Sequence, residues 1–239
     1  MTSFIHPPHP SQLVEPLSSI SEKEPILELE EASRDPHELP SFNSQLKFDE
    51  PVLYLPPLLS SLPEGNPQYP PLVTETRLPN IDPASLSLHK ALHNFKPLTS
   101  DYAATPYGEA FNWSQLKLPV HEEREWYCVV FRSKRKVGSD GISLYEADKL
   151  AHEEAIRNGG LILYWYGIPN PQTGMNLATC IWQSRKHASA ANSRPHHIKA
   201  MRLAANAYEI YSLERYRLRK SIGEDGVTIE PYLGGDVGW

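Results

Sequence analysis

The amino-acid sequence predicts an α+β fold: a ferredoxin-like β-α-β-β-α-β sheet with two helices on one face, of the kind that pairs into dimeric α/β barrels, preceded by a disordered Pro-rich N-terminal arm. Three observations predict it. Proline is concentrated at one end, with 16 of 23 in residues 1–83. Three runs of apolar, β-branched and aromatic residues follow, at 126–133, 161–168 and 176–184. Helical periodicity lies between the first and second of these and again after the third.

Residues 1–80 read as a disordered acidic tail. Their prolines (Pro7, Pro8, Pro56, Pro57, Pro70, Pro71) remove backbone donors and bias neighbours toward extended conformations. Residues 1–100 carry 6 Lys/Arg against 13 Asp/Glu, whereas the remainder carries 17 against 16. Ordering a residue costs about 1–2 kcal/mol, and short apolar clusters such as LYLPPLL at 53–59 bury too little to offset it. That cluster reads as a solvated sticky spot or as a linear docking motif.

Residues 81–120 read as a short helix and a wrapping loop. Asp82 is placed to cap, Pro83 fits the first helical position, and Leu86, Leu88 and Leu92 follow. An aromatic-bearing loop (Phe95, Tyr102, Tyr107, Phe111, Trp113) then runs to about residue 120. Residues 121–239 are the folded α+β domain. WYCVVFRS (126–133) is its first strand. Ser143 and Glu146 offer a capping box for a helix carrying Ala147, Leu150, Ala151, Ala155 and Ile156, stopped by Gly159 and Gly160. LILYWYGI (161–168) and NLATCIWQS (176–184) are two strands of a hairpin, joined by the turn-rich PNPQTG. Ser193 and Pro195 open a second helix predicted over 194–220, about 40 Å long at 1.5 Å per residue. VTIEPYL (227–233) is a last strand, placed at an edge by Pro231.

Right-handed crossovers put the first and third strands in the centre, with Cys128 and Cys180 on neighbouring strands. The leading strands are apolar on both faces: Tyr127, Val129 and Phe131 alternate with Trp126, Cys128 and Val130. Helices cover one face only, so the other needs a second subunit, the 82–120 segment or a ligand. The favoured partner is a second copy of the chain, a homodimer through the sheet face.

The balance of charge, −6 overall, gives no chain-wide field for nucleic acid or an anionic membrane. No apolar run reaches the roughly 18 residues of a membrane span, and MTSFIHPPHP reads as neither a signal nor a transit peptide. The two cysteines are expected to be reduced, buried thiols.

The runs WYCVVFRS, GGLILYWYGI, NLATCIWQS and AYEIYSLERY resemble a family of fungal proteins without an assigned activity, over roughly residues 80–239. The resemblance implies a cytoplasmic or nuclear location. A looser resemblance, in element order alone, is to the dimeric α/β-barrel proteins, which include cofactor-independent monooxygenases and haem-binding members. Fold does not carry function across.

The most suggestive cluster is SRKHASAANSRPHH, 184–197, which leads into the long helix. Arg185, Lys186, Arg194, His196 and His197 beside a helix start describe either an anion pocket or an ordinary basic loop. His196 and His197 point about 100° apart on a helix and no carboxylate or thiol stands at a supporting spacing, so no metal or other cofactor is expected. Trp165 and Tyr208, with His197, are candidates to shape an aromatic-lined cavity. The sequence therefore supports a non-catalytic binding or interaction module, with a small anionic or aromatic ligand. The alternative is a cofactor-independent monooxygenase- or isomerase-like enzyme.

Overall fold

The structure is a computed structural model that describes residues 81–238 together with residues 52–54 and 75–77. The last two stretches, Val52–Tyr54 (β1) and Glu75–Arg77 (β2), pair antiparallel inside the region expected to be disordered. The rest of residues 1–80, including most of LYLPPLL, lies outside the described residues, as does Trp239.

Two elements precede the sheet: α1 (Pro83–Leu92) and α2 (Tyr107–Ala110), the latter followed by a 3-10 turn at Trp113–Gln115. Asp82 caps α1, its side chain accepting from the Ser85 amide at 2.9 Å. The sheet then runs through β3 (Arg124–Arg135), α3 (Gly141–Asn158), β4 (Leu161–Tyr166) and β5 (Met175–Trp182). Two helices, α4 (Arg185–Asn192) and α5 (Pro195–Ala207), lead to β6 (Tyr208–Lys220) and β7 (Thr228–Pro231). The strand order is β4-β5-β3-β6-β7, antiparallel throughout. Its first four members form the ferredoxin-like sheet, with β3 and β5 central and Cys180 opposite Val129.

Several element assignments differ from the sequence reading, among them α4, which forms where a loop before the second helix was expected. The helix predicted over 194–220 stops at Ala207, and residues 208–220 form β6, paired along the length of β3. Leu, Glu, Arg and Lys favour helix intrinsically, but twelve cross-strand partners override that preference. The strand expected at 227–233 is therefore a fifth, edge strand. Asp140, not Ser143, caps α3, accepting from the amides of Ile142 and Ser143 at 2.9 and 3.2 Å. Gly159 and Gly160 end α3 at positive φ, and a Cβ on Gly160 would lie 2.3 Å from the His187 ring.

Each sheet face builds its own core. Tyr127, Cys180 and Trp182 pack with Ala155 of α3 and Ala191 of α4 on the helical side. Trp126, Cys128, Val130, Leu163, Trp165, Leu177, Ile181 and Leu218 face the other way, against Leu88, Leu92, Tyr107, Phe111, Trp113 and Leu116. The face expected to meet a second copy is thus covered by residues 81–118 of the same chain. Each buried aromatic removes about 150–250 Å² from water, a gross gain of about 4–6 kcal/mol. Polar ends are matched as well. Trp126 donates to Ser85 Oγ at 2.8 Å, Tyr107 and Thr179 hydroxyls meet at 2.8 Å, and Arg132 donates to the Thr105 carbonyl at 2.8 Å. Tyr102 seals one end, its hydroxyl donating to the Ile168 carbonyl at 2.7 Å and lying where a side chain on Gly167 would have to sit.

Candidate functional site

The basic stretch 184–197 forms two helix starts, and the protein itself fills both. Ser184 caps α4: its Oγ accepts from the His187 amide at 3.3 Å and meets His187 Nδ1 at 2.8 Å. The Arg185 amide donates to the Val237 carbonyl at 3.0 Å. At α5, Pro195 occupies the first turn and the His197 amide donates to Glu154 Oε2 at 3.0 Å. Glu154 is only 3% exposed, so the anion that this helix start attracts is a side chain of α3.

The candidate residues accordingly separate. His197 Nδ1 lies 3.9 Å from Glu154; burial lowers its pKa while Glu154 raises it. Arg194 donates to Asn158 Oδ1 at 3.3 Å, and Lys186 and His196 are exposed. Trp165 belongs to the covered face, its ring against Phe111 at 4.9 Å. Tyr208 stacks on Tyr211 at 5.5 Å on the helical face. Trp165 therefore shares no cavity with Tyr208 and His197, because the sheet stands between them. Of the seven candidates, Arg185 lines a cleft.

That cleft has a volume of about 410 Å³ and is lined by Tyr127, Arg185, Ser189, Arg215 and Tyr232. Tyr127 comes from β3 and Arg215 from β6, one diagonal apart in register. Arg185 and Ser189 are one turn apart on α4. Tyr232 follows β7, its amide donating to the Arg215 carbonyl at 2.9 Å, and its ring meets Tyr127 edge-on at 5.4 Å. Burial raises the Tyr127 pKa, with Arg215 and Arg185 pulling against it, so its hydroxyl stays protonated. Neighbouring cations are neutralised elsewhere: Arg217 and Arg219 hold Glu125 at 3.5 and 2.7 Å, and Arg124 holds Asp82 at 3.3 Å. Arg185 meets a carboxylate, Asp236, only at 4.0 Å, and Arg215 forms no ion pair among the described residues. Two guanidiniums thus line one concave space with little charge opposing them.

A second polar group lies between α3 and the sheet. The Tyr164 hydroxyl donates to Asp148 Oδ1 at 2.8 Å and also contacts the Tyr166 hydroxyl. The His152 ring stacks on Tyr164 at 4.7 Å. Burial pushes the Asp148 carboxyl up to about 7, the Tyr164 hydrogen bond opposing the rise. His152 is pushed down to about 3, burial first and His197 second. This is a carboxyl poised near neutrality beside a phenol.

Cys128 and Cys180 sit on opposite faces of the sheet, both buried. Burial raises both thiols, Cys180 to about 12. Native protein at pH 8 is expected to resist iodoacetamide at both positions and to take up two equivalents only when unfolded, as peptide mass mapping would show. Among the described residues no three His, Cys, Asp or Glu side chains could together hold a metal ion, and no helix is long and apolar enough to cross a membrane.

The sequence reading missed Tyr127, Ser189, Arg215 and Tyr232 as a group. Taking 208–220 with period two instead of 3.6 would have put Arg215 on the helix-bearing face.

Fold and cleft together define a ferredoxin-like α+β domain with a self-covered second face and an arginine–tyrosine cleft on the first. The chain belongs to the PB2B2.08-like family, whose profile matches residues 68–231. It is 33% identical over 147 residues to the UPF0643 protein PB2B2.08 of Schizosaccharomyces pombe, an alignment covering 55% of this chain and 67% of that protein. Two solved structures described as antibiotic biosynthesis monooxygenases are also similar. The one from Nitrosomonas europaea is 18% identical with a TM-score of 0.33, covering 38% of this chain and 95% of its own. The one from Chloroflexus aurantiacus is 14% identical with a TM-score of 0.33, covering 46% and 95%.

Proposed function

We propose that this protein is a binding module for a small anion, without chemistry of its own, and that the arginine–tyrosine cleft is its site. One observation carries the reading. Arg185 and Arg215 share a cleft of about 410 Å³ while the arginines around them are neutralised by carboxylates. A hydrogen bond to a charged group contributes about 1.5–3 kcal/mol, so each guanidinium accounts for roughly tenfold or more in affinity. Isothermal titration with sulfate is expected to show binding that the Arg185→Gln/Arg215→Gln double variant weakens by roughly a hundredfold. Equal affinity in the two proteins would refute the assignment.

A second reading, an isomerase- or cofactor-independent oxygenase-like enzyme, is favoured by Asp148 beside Tyr164. A carboxyl with a pKa of about 7 serves as a proton acceptor at physiological pH. The discriminating case is an enolisable or phenolic compound turned over by the wild type. Asp148→Asn keeps the Tyr164 hydrogen bond and should abolish that turnover.

A further inference from the structure

Resting on the reading of the cleft as an anion site, we infer that its ligand class is a phosphomonoester and that Asp236 is the counter-anion this ligand displaces. The two guanidiniums enter from separate elements, Arg185 from the first turn of α4 and Arg215 from β6, so a bound anion is held from two sides. A carboxylate presents two coplanar oxygens, which a single guanidinium satisfies in a bidentate fork. A phosphomonoester presents three terminal oxygens about a tetrahedral centre and a charge near −2 at neutral pH. That charge matches two arginines. Tyr127 brings an O–H to the same cleft that can donate to a third oxygen, and Ser189 adds a hydroxyl from α4. The cleft is also larger than a bare anion requires, and the edge-on rings of Tyr127 and Tyr232 flank the space left for the esterified group.

Asp236 is brought beside Arg185 by the backbone on either side of it. The Val237 carbonyl accepts from the Arg185 amide at 3.0 Å, Val237 is buried, and the Gly238 carbonyl accepts from Arg124. On the other side the Tyr232 hydroxyl donates to the Gly235 carbonyl at 2.6 Å. The chain is therefore held while the carboxylate is not: it stands 4.0 Å from Arg185, with the Arg185 and Asp236 side chains 44% and 59% exposed. Such a pair is weak and screened. A ligand needs only to swing one exposed side chain aside to take its place.

The test is isothermal titration of the full chain with glycerol 3-phosphate and with acetate at constant ionic strength, on wild type, Asp236→Asn and Arg215→Gln. Asp236 is exposed, so its replacement leaves the fold in place, as circular dichroism would verify. Wild type is expected to bind glycerol 3-phosphate at least roughly tenfold more tightly than acetate, because it engages both guanidiniums. Asp236→Asn should tighten glycerol 3-phosphate by roughly two- to fivefold, and Arg215→Gln should weaken it by roughly tenfold or more. Unchanged affinity in Asp236→Asn removes the counter-anion role. Acetate binding as tightly as glycerol 3-phosphate removes the phosphomonoester class. Either result leaves the cleft an anion site, whereas no binding of either anion overturns that reading too.

Discussion

Phe111→Ala is expected to destabilise the protein by about 3–5 kcal/mol, the loss typical of an aromatic removed from a closed core. Phe111 precedes β3 in the chain and belongs to neither the sheet nor its three helices, yet it is 2% exposed. Its ring meets Phe95 at 4.5 Å, Trp165 at 4.9 Å and Tyr107 at 5.6 Å. Removing it opens a void between the cover and β4 that neither side closes, because Arg132 of β3 and the Tyr102 contact with Ile168 hold the surrounding loop to the sheet. Urea denaturation measures the effect. A loss below about 1 kcal/mol would mean that residues 81–118 are an appended flap and not half of the core. Tyr107→Phe is the control: it deletes one hydroxyl and leaves Thr179 its bond to the Val129 carbonyl at 3.1 Å, for a cost of about 0.5–1.5 kcal/mol.

Asp148→Asn is expected to stabilise the protein, and only above mildly acidic pH. The ordinary carboxyl value is 3.8, and burial raises Asp148 to about 7. Between those values the folded protein keeps a proton that the unfolded chain has released. This carboxyl therefore favours folding least above its folded pKa: stability falls as pH rises from about 4 to about 7 and stays low beyond. A shift of this size corresponds to about 4 kcal/mol at most, and partial contact of Asp148 with water brings the expectation to about 2 kcal/mol. Asparagine carries no charge at any pH and keeps the oxygen that accepts from Tyr164. The variant should match wild type near pH 4 and exceed it by about 2 kcal/mol at pH 8, measured by denaturant unfolding at both. Equal gains at both values would remove the buried charge as the cause.

The strands that lie between two layers were legible because such strands are apolar on both faces. Trp126–Phe131 and Leu161–Trp165 admit no other reading, and the hairpin partner Leu177–Trp182 followed from the turn between them. β6 was not legible. It is amphipathic only when read against β3, and its Arg, Glu and Leu residues satisfy a helical wheel equally well. That single misreading hid Arg215 and with it the cleft. The need to cover a second face was also legible, but the choice of cover was not. A run such as Phe95–Trp113 has no period, since its contacts come from irregular backbone fitted to one particular sheet. At the helix starts, the positive residues were visible and Glu154 was not, because the helix it sits on had no stated position relative to α5.

The arrangement of the cover has a consequence for biosynthesis. Asp82 and Gln183, joined by a 3.2 Å backbone-to-side-chain bond, are 101 residues apart, and Phe95, Phe111 and Trp113 are synthesised before any strand of the platform they need. The cover can close fully only once synthesis has run on to Leu218 of β6, so the aromatic stretch stays unpacked while that part of the chain is made. Contacts this distant in sequence are expected to make refolding slow for the domain's size, which stopped-flow tryptophan fluorescence would measure.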